Sequence, residues 1–158
     1  MAPATIVFIP PWISSFFPNE QGCSVTAYRL DDATGILSAV QTATTLPDGY
    51  TARNTCSQIH LTTSGKFLYV ANRGHNTIAG FAVDAATGHL TSIGHVATEA
   101  VPSAFSLDPA GSFLFAAGTA SGRLASYRVS RETGALTPLA TQAVGRRPAA
   151  VLTTTLGD

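Results

Sequence analysis

The sequence repeats itself, and the repeat period is the feature that most restricts its fold. Two consecutive segments, one starting at Ser64 and one at Ala110, share their turn and apolar residues. Their matched positions are all 46 residues apart: Gly65 and Gly111, Phe67 and Phe113, Phe81 and Tyr127, and Thr87-Gly88 and Thr133-Gly134. A fixed period of about 20 to 50 residues is typical of architectures in which each copy is one supersecondary unit.

A third copy precedes these two, and a fourth begins after them. Positions in the third copy lie 53 residues earlier: Asn19 and Asn72, Tyr28 and Phe81, and Thr34-Gly35 and Thr87-Gly88. The seven extra residues fall in the stretch "LPDGYTARNTC", which predicts one longer loop. Pro148 stands 46 residues after Pro102, so "PAAVLTTT" opens a fourth copy that is cut short.

Each copy contains four short apolar runs separated by Gly, Pro, Asp or Asn, a pattern typical of β-strands. Four strands in about 46 residues match one blade of a β-propeller. We therefore predict an all-β fold, a partial β-propeller forming one domain over residues 1–158. Its blades are predicted at about 4–46, 56–98 and 102–144, each a four-stranded antiparallel sheet, with an extra strand at about 148–155. In the first blade we expect "TIVFI" as the innermost strand, followed by an irregular "PPWISSFFP".

The predicted blade count has a consequence for association. Propellers usually close with about four to eight blades, and three blades leave open edges that pair with whatever strand is available. Charged residues make up only 11% of the chain, against about 25% in an average protein, so little charge is available to solvate such surfaces. We therefore expect a homo-oligomer formed through the open blade edges.

Charge and motif content exclude several classes of function. The formal net charge is zero, whereas a nucleic-acid surface needs a clustered basic excess. The sequence contains no apolar run of membrane-spanning length and no basic leader, so we expect a cytoplasmic protein without membrane contact. Cys23 and Cys56 are then free thiols. The chain lacks a Gly-x-Ser-x-Gly elbow, a phosphate-binding P-loop and a dinucleotide fingerprint.

From about Asn19 onward, the motifs resemble the seven-bladed propeller lactonases related to bacterial 6-phosphogluconolactonase, a family that also includes carboxymuconate-lactonising enzymes. The stretches that carry the likeness are "NEQGCSVTAYRLDDATG", the Cys-x-x-Ile-His of Cys56–His60, "GKFLYVANRGHNTIAGFAVDAATGHLT" and "PSAFSLDPAGSFLFAAG". The resemblance implies that about three C-terminal blades are present. Gly118-Thr119 departs from the Asn-Gln of the family, and "PPWISSFFP" matches its pattern poorly.

The repeat also predicts where polar side chains meet. Asn19-Glu20 and Asn72-Arg73 occupy the same position in their blades, where the second strand enters the turn to the third. His60 lies in an innermost strand. We therefore expect Glu20, Cys23, His60, Arg73 and His75 to converge at the central mouth of the propeller.

Lactone hydrolysis needs a base that activates water and a donor that stabilises the oxyanion. Glu20 or a neutral His60 is the candidate base, and Arg73 is the candidate donor to the oxyanion or to a substrate carboxylate or phosphate. The resemblance implies the same catalytic set, Glu20, His60 and Arg73. Asn19, Asn72, His75 and Asn76 are the candidate substrate-binding residues. The substrate class is a small lactone: a sugar lactone such as 6-phosphogluconolactone, or an N-acyl-homoserine lactone.

Structural interpretations of the same residues stay open. Asn19 and Asn72 suit turn geometry, His60 suits a core position, and Arg73 can pair with Glu20 in a rim salt bridge. No cofactor is expected; Glu20, Asn19 and Asn72 offer the oxygen ligands of an alternative divalent-cation site. The spacing of Cys56 and His60 puts both on one face of a strand, about 13 Å apart, too far to share an ion. The alternatives to a lactonase are a non-catalytic binding module and a gene fragment without selected function.

Overall fold

The computed structural model describes residues 13–155, and all regular structure in this range is β-strand. Within it, no helix is long and apolar enough to cross a bilayer. The strand bounds are β1 Ile13–Asn19, β2 Ser24–Leu30, β3 Leu37–Thr44, β4 Cys56–Leu61, β5 Phe67–Asn72, β6 Thr77–Val83, β7 Leu90–Ala97, β8 Pro102–Leu107, β9 Phe113–Gly118, β10 Arg123–Val129 and β11 Leu136–Ala143.

The strands form three antiparallel sheets in chain order, β1-β2-β3, β4-β5-β6-β7 and β8-β9-β10-β11, which we call blades 1, 2 and 3. We name the four strand positions of a blade A to D, from the innermost to the outermost. Blades 2 and 3 contain all four, and the described part of blade 1 contains B, C and D. The partial propeller fold is thereby confirmed. The predicted strand A of blade 1, "TIVFI", lies outside the described residues.

The prediction of an irregular "PPWISSFFP" is wrong over its described part. Residues 13–19 pair continuously with β2, from Ile13 opposite Leu30 to Asn19 opposite Ser24. Two serines and Pro18 hide the usual alternation, but the register matches that of β5 with β6, where Asn72 lies opposite Thr77. Pairing with β2, rather than local strand propensity, therefore determines the extended conformation of this segment.

The extra strand predicted at about 148–155 is also not formed, since residues 148–155 contain no strand. The tail contacts the inner strand of blade 3 through its side chains: Thr153 Oγ1 lies 2.5 Å from the Leu107 carbonyl oxygen and 3.0 Å from Ser106 Oγ. A strand needs a backbone partner, and residues 148–155 pair with none of the eleven strands of the described residues.

The core consists of two apolar layers, one between each pair of neighbouring blades. Both layers use the same repeat positions, since Leu68, Val70 and Phe81 of blade 2 face blade 1, and Leu114, Ala116 and Tyr127 of blade 3 face blade 2. The repeat seen in the sequence is therefore a repeat of packing surfaces.

A glycine in the C–D turn of blade 3 allows this blade to approach blade 2 closely. The Tyr69 hydroxyl of blade 2 donates to the carbonyl oxygen of Gly134 in blade 3, at 2.7 Å. A Cβ on Gly134 would overlap the Phe67 ring, and the φ of Gly134 is +71°. Gly35, at the same turn of blade 1, has a φ of +72° and no atom within 4 Å of its Cβ direction. The two glycines differ in packing and share their backbone conformation.

Gly134→Ala and Gly35→Ala therefore form a matched pair. Both substitutions pay the left-handed backbone cost of about 1–2 kcal/mol, and only Gly134→Ala adds the overlap with blade 2. We expect Gly134→Ala to lower the free energy of unfolding by about 3 kcal/mol or more, and Gly35→Ala by about 1–2 kcal/mol. Urea titrations at one protein concentration measure both; equal losses would contradict the inter-blade role of Gly134.

Candidate active site

The candidate residues lie at the end of the blades where strand A begins and strand B ends, which we call the upper rim. Cys56, the first residue of β4, pairs with Asn72, the last residue of β5. The B–C turns of all three blades and the long loop 45–55 lie at this end. The sequence repeat thus places Glu20, in the blade 1 turn, and Arg73, in the blade 2 turn, on the same rim.

Glu20 and Arg73 form an ion pair through Arg73 Nη2 and Glu20 Oε1. The backbone of Cys56 holds both turns, because its N–H donates to the Glu20 carbonyl at 2.9 Å and its carbonyl accepts from Arg73 Nη2 at 2.7 Å. The Glu20 side chain is 53% exposed and that of Arg73 28% exposed. An exposed ion pair contributes only about 0–1 kcal/mol to stability. This pair therefore adds little to the stability of the fold, while both charged groups stay accessible.

The amide of Asn72 lies at the centre of a buried hydrogen-bond network beneath this pair. Asn72 is fully buried; its Nδ2 donates to the Thr45 carbonyl at 2.6 Å and to Thr77 Oγ1 at 3.3 Å. Its Oδ1 accepts from Asn54 Nδ2 at 3.1 Å and lies 2.9 Å from Thr45 Oγ1. With both ends of the amide engaged and no exposed surface, Asn72 holds the long loop against blade 2 and does not face a substrate, contrary to the substrate-binding role we predicted for it.

Asn54, near the end of the long loop, holds the turn that carries Arg73. Its Oδ1 accepts from the backbone N–H groups of Gly74 and His75, at 2.8 and 2.9 Å, and its Nδ2 also lies 3.3 Å from Cys23 Sγ. A Cβ on Gly74 would overlap the carbonyl oxygen of Arg53, so glycine permits this close approach. Asn54 was not among the residues predicted from the sequence, and the extra length of the loop was the only signal that pointed to it.

His60 does not meet the Glu20–Arg73 pair. It lies four residues along β4 from Cys56, on the order of 10 Å away, and its ring contacts that of Phe105 at 4.7 Å. A register shift between Cys56 and Ile59 puts Cys56 toward blade 1 and His60 toward blade 3, so the prediction that both share one face is wrong. Burial lowers the pKa of His60 below its ordinary value of 6.5, which favours the neutral imidazole.

Two more predicted substrate ligands are engaged in loop packing. The His75 Nδ1 lies 2.8 Å from Thr77 Oγ1, and its ring contacts those of Tyr50 at 4.7 Å and His95 at 6.1 Å. Asn76 has a φ of +57°, and its Oδ1 accepts from the Val101 N–H at 2.9 Å. Both residues therefore connect the blade 2 turn to neighbouring loops.

Asn19 is a predicted substrate-binding amide that, like Asn76, is not buried. It is partly exposed, next to Glu20 in the chain, and its Nδ2 donates to Ser24 Oγ and Thr26 Oγ1 at 3.0 and 2.9 Å. For the alternative cation site, the Asn72 oxygen is already taken by two donors. Between residues 13 and 155, no group of three or more His, Cys, Asp or Glu side chains is arranged to hold a metal ion.

Asn54→Ala tests how the long loop supports the rim. The substitution leaves the partly buried N–H groups of Gly74 and His75 without an acceptor and removes one of the two donors to the Asn72 oxygen, and a buried polar group without a partner costs about 1–3 kcal/mol. We expect a loss of about 2–4 kcal/mol in the free energy of unfolding and faster hydrogen exchange at the Gly74 and His75 amides. Asp48→Ala, at an exposed position of the same loop, is the control and should change stability by less than about 0.5 kcal/mol. Equal behaviour of the two variants would show that Asn54 does not hold the turn.

Comparison with known proteins agrees with this architecture. Residues 3–153 match the family described as "Lactonase, 7-bladed beta-propeller". A 6-phosphogluconolactonase of Pectobacterium carotovorum is 36% identical over 106 residues, which is 67% of this chain and 32% of the relative. The 6-phosphogluconolactonase of Bacillus subtilis is 35% identical over 108 residues, 68% of this chain and 31% of the relative. The chain thus spans about a third of the length of the curated relatives it matches.

Solved structures give the same result. A Lactobacillus plantarum protein superposes with a TM-score of 0.86 at 33% identity, over 92% of this chain and 43% of that one. The periplasmic gluconolactonase of Pseudomonas aeruginosa superposes with a TM-score of 0.82 at 26% identity, over 89% of this chain and 39% of that one. With three matching blades and a family match across nearly its whole length, the chain belongs to the lactonase family of seven-bladed β-propellers.

Proposed function

We propose that this chain hydrolyses the ring ester of a lactone, with sugar lactones as the favoured class. One observation carries the proposal: a carboxylate and a guanidinium, Glu20 and Arg73, lie in contact at an accessible rim of the propeller. The relatives named 6-phosphogluconolactonase and the periplasmic gluconolactonase support a sugar lactone as substrate. Nothing in the comparisons favours the N-acyl-homoserine lactone that we considered alongside it.

In the proposed reaction, Glu20 is the general base. Its carboxylate takes a proton from a water molecule while the water oxygen bonds to the lactone carbonyl carbon. Arg73 donates from its Nη groups to the oxyanion that forms. Collapse of this intermediate breaks the bond between the carbonyl carbon and the ring oxygen, and the leaving alkoxide takes the proton back from Glu20. The product is the open-chain hydroxy acid.

His60 is the competing base, and its placement argues against it. Burial lowers the pKa of His60, which favours the neutral imidazole that a base requires, but its ring packs on Phe105 of blade 3, whereas Arg73 contacts Glu20 of blade 1. A lactone that contacts the Arg73 guanidinium would therefore reach Glu20 before it reaches His60. We assign His60 to the wall between blades 2 and 3.

The test is a panel of lactones assayed by pH-stat, with and without chelator. We expect Glu20→Gln and Arg73→Ala each to lower kcat/KM by about 100-fold or more, because each removes a group that acts only in the transition state. Gln21→Ala, at an exposed neighbour in the same turn, should keep the wild-type rate, and chelator should have no effect. Full activity in both variants would reject the assignment, and a wild-type rate equal to spontaneous ring opening would favour the non-catalytic binding module.

We also propose that the chain self-associates in the cytoplasm. The outer surfaces of blades 1 and 3 carry exposed apolar side chains, with Ile36 62% and Leu139 49% exposed, and both cysteines are free thiols, as in reducing compartments. Light scattering on the purified chain should give at least a dimer. A compact monomer would contradict self-association.

A further inference from the structure

Two cysteines meet beside the Glu20–Arg73 pair. Cys23 ends the B–C turn of blade 1, and Cys56 is the first residue of β4 in blade 2. Both approach the Glu20 carbonyl oxygen, which accepts from the Cys56 N–H at 2.9 Å and lies 4.0 Å from Cys23 Sγ. The chain contains two cysteines in all, and the fold brings them together across the boundary between two blades.

Amide atoms of the buried network connect the two sulfur atoms. Cys23 Sγ lies 3.3 Å from Asn54 Nδ2, which donates to Asn72 Oδ1 at 3.1 Å, and that oxygen lies 3.7 Å from Cys56 Sγ. The thiols also act on each other, since burial and, to a smaller extent, the neighbouring Cys23 thiol raise the pKa of Cys56 to about 11. Both sulfur atoms therefore belong to one polar cluster beneath the rim.

The sequence repeat shows that the fold requires a thiol at neither position. Cys23 corresponds to Asn76 in blade 2 and Gly122 in blade 3, and all three have left-handed backbone, with φ of +47°, +57° and +67°. Asn and Gly are residues that favour this conformation, and cysteine is not. Cys56 corresponds to Pro102. The blade architecture therefore explains neither cysteine, which leaves a role in which the two thiols act together.

The two thiols differ in their access to solvent. Cys23 is partly exposed, whereas Cys56 is 1% exposed. The thiolate is the form that attacks peroxides, and burial, which raises the pKa of Cys56, leaves little thiolate there. An accessible thiol beside a buried one is the arrangement of a reacting cysteine and its resolving partner.

We infer that Cys23 and Cys56 form an oxidation-sensitive pair, which hydrogen peroxide converts into a disulfide between blades 1 and 2 that lowers the activity of the Glu20–Arg73 site. The Cys23 thiolate attacks one peroxide oxygen, so that an S–O bond forms, the O–O bond breaks and the other oxygen leaves as hydroxide, which takes up a proton. The Cys56 sulfur then attacks the Cys23 sulfur; the S–S bond forms, the S–O bond breaks, and the oxygen leaves as water with the Cys56 proton. The two thiols lose two electrons, and the peroxide is reduced to two water molecules.

The disulfide changes the contacts that hold the site. In the reduced chain, Cys23 Sγ contacts the side chain and carbonyl of Asn54, and Cys56 Sγ lies 3.1 Å from Thr45 Oγ1. An S–S bond of about 2.05 Å draws both sulfur atoms away from these partners. Asn54 holds the turn that carries Arg73, and the Cys56 carbonyl accepts from the Arg73 guanidinium. The displacement therefore reaches Arg73; its effect on activity rests on the proposed lactonase function, and the disulfide itself does not.

The first experiment follows the thiols and needs no substrate. Hydrogen peroxide should remove both free thiols of the native wild-type chain, with an intact mass lower by two hydrogen atoms and no disulfide-linked dimer on non-reducing electrophoresis. In Cys56→Ser, dimedone should trap a sulfenic acid at Cys23, whereas Cys56 in Cys23→Ser should react at least about 10-fold more slowly than Cys23 does. A wild-type chain that forms dimers, or that oxidises to sulfinic acid without a disulfide, would overturn the inference, as would equal reactivity of the two thiols.

The second experiment connects the disulfide to the site. Oxidation should lower kcat/KM for glucono-δ-lactone at least about 10-fold in the wild type, because a displaced donor loses its alignment with the substrate, and dithiothreitol should restore the rate. Cys23→Ser is the control and should keep the reduced rate under both conditions. The NMR signals of the Arg73 and Gly74 amides give a readout that needs no activity; they should shift on oxidation in the wild type and stay unchanged in Cys23→Ser.

The outcomes of the two experiments separate the inference from the proposed function. An active chain whose rate is unchanged by the disulfide would overturn the inference. A reduced wild-type chain that opens no lactone, yet forms the disulfide and shows the amide shifts, would reject the proposed function and retain the oxidation-sensitive pair.

Discussion

The buried amide of Asn72 is the contact on which the rim of this structure depends. It is fully buried and uses both its donors and its acceptor within the protein, on Thr45, Asn54 and Thr77. A buried amide with all its bonds satisfied fixes geometry, because any displacement leaves polar atoms without partners in a medium that cannot solvate them. The network joins strand B of blade 2 to the long loop, and the next residue in the chain is Arg73.

The repeated blade supplies the frame for this arrangement. Each apolar layer uses the same strand positions, and the C–D turns of blades 2 and 3 each present a glycine of positive φ toward the preceding blade. The turns on the upper rim share their backbone course yet differ in side chains, since Glu20, Arg73 and Thr119 occupy one repeat position. The fold therefore determines the position of each rim side chain. The residue type at that position can differ between blades and is available for a chemical role.

The sequence predicted the parts of the structure that follow from periodicity. The blade period, the three sheets and the placement of Glu20 and Arg73 on one rim all come from fixed offsets of 46 and 53 residues. Strand β1 was missed because Pro18 and two serines obscure its alternation, and its register is set by β2. Residues 148–155 have a strand-like sequence but form no strand, because strand propensity alone does not provide the backbone with a hydrogen-bonding partner.

The side-chain environment was less predictable than the backbone. A register shift inside β4 turns His60 away from Cys56, and sequence spacing cannot reveal a bulge. Asn72 and Asn76 have the residue type of a substrate ligand, and only the structure shows that loops occupy their hydrogen-bonding groups. The role of Asn54 could not be predicted, because a lone asparagine in a long loop belongs to no sequence pattern.

The proposed function depends on Glu20 and Arg73 acting together on a lactone. A double-mutant cycle on kcat/KM tests it most directly, with Glu20→Gln, Arg73→Ala and their combination compared with the wild type. Groups that act as a unit are strongly non-additive, so the double variant should lose little more than the more damaged single variant. Losses that multiply in the double variant would show that the two side chains act independently and would contradict the claim.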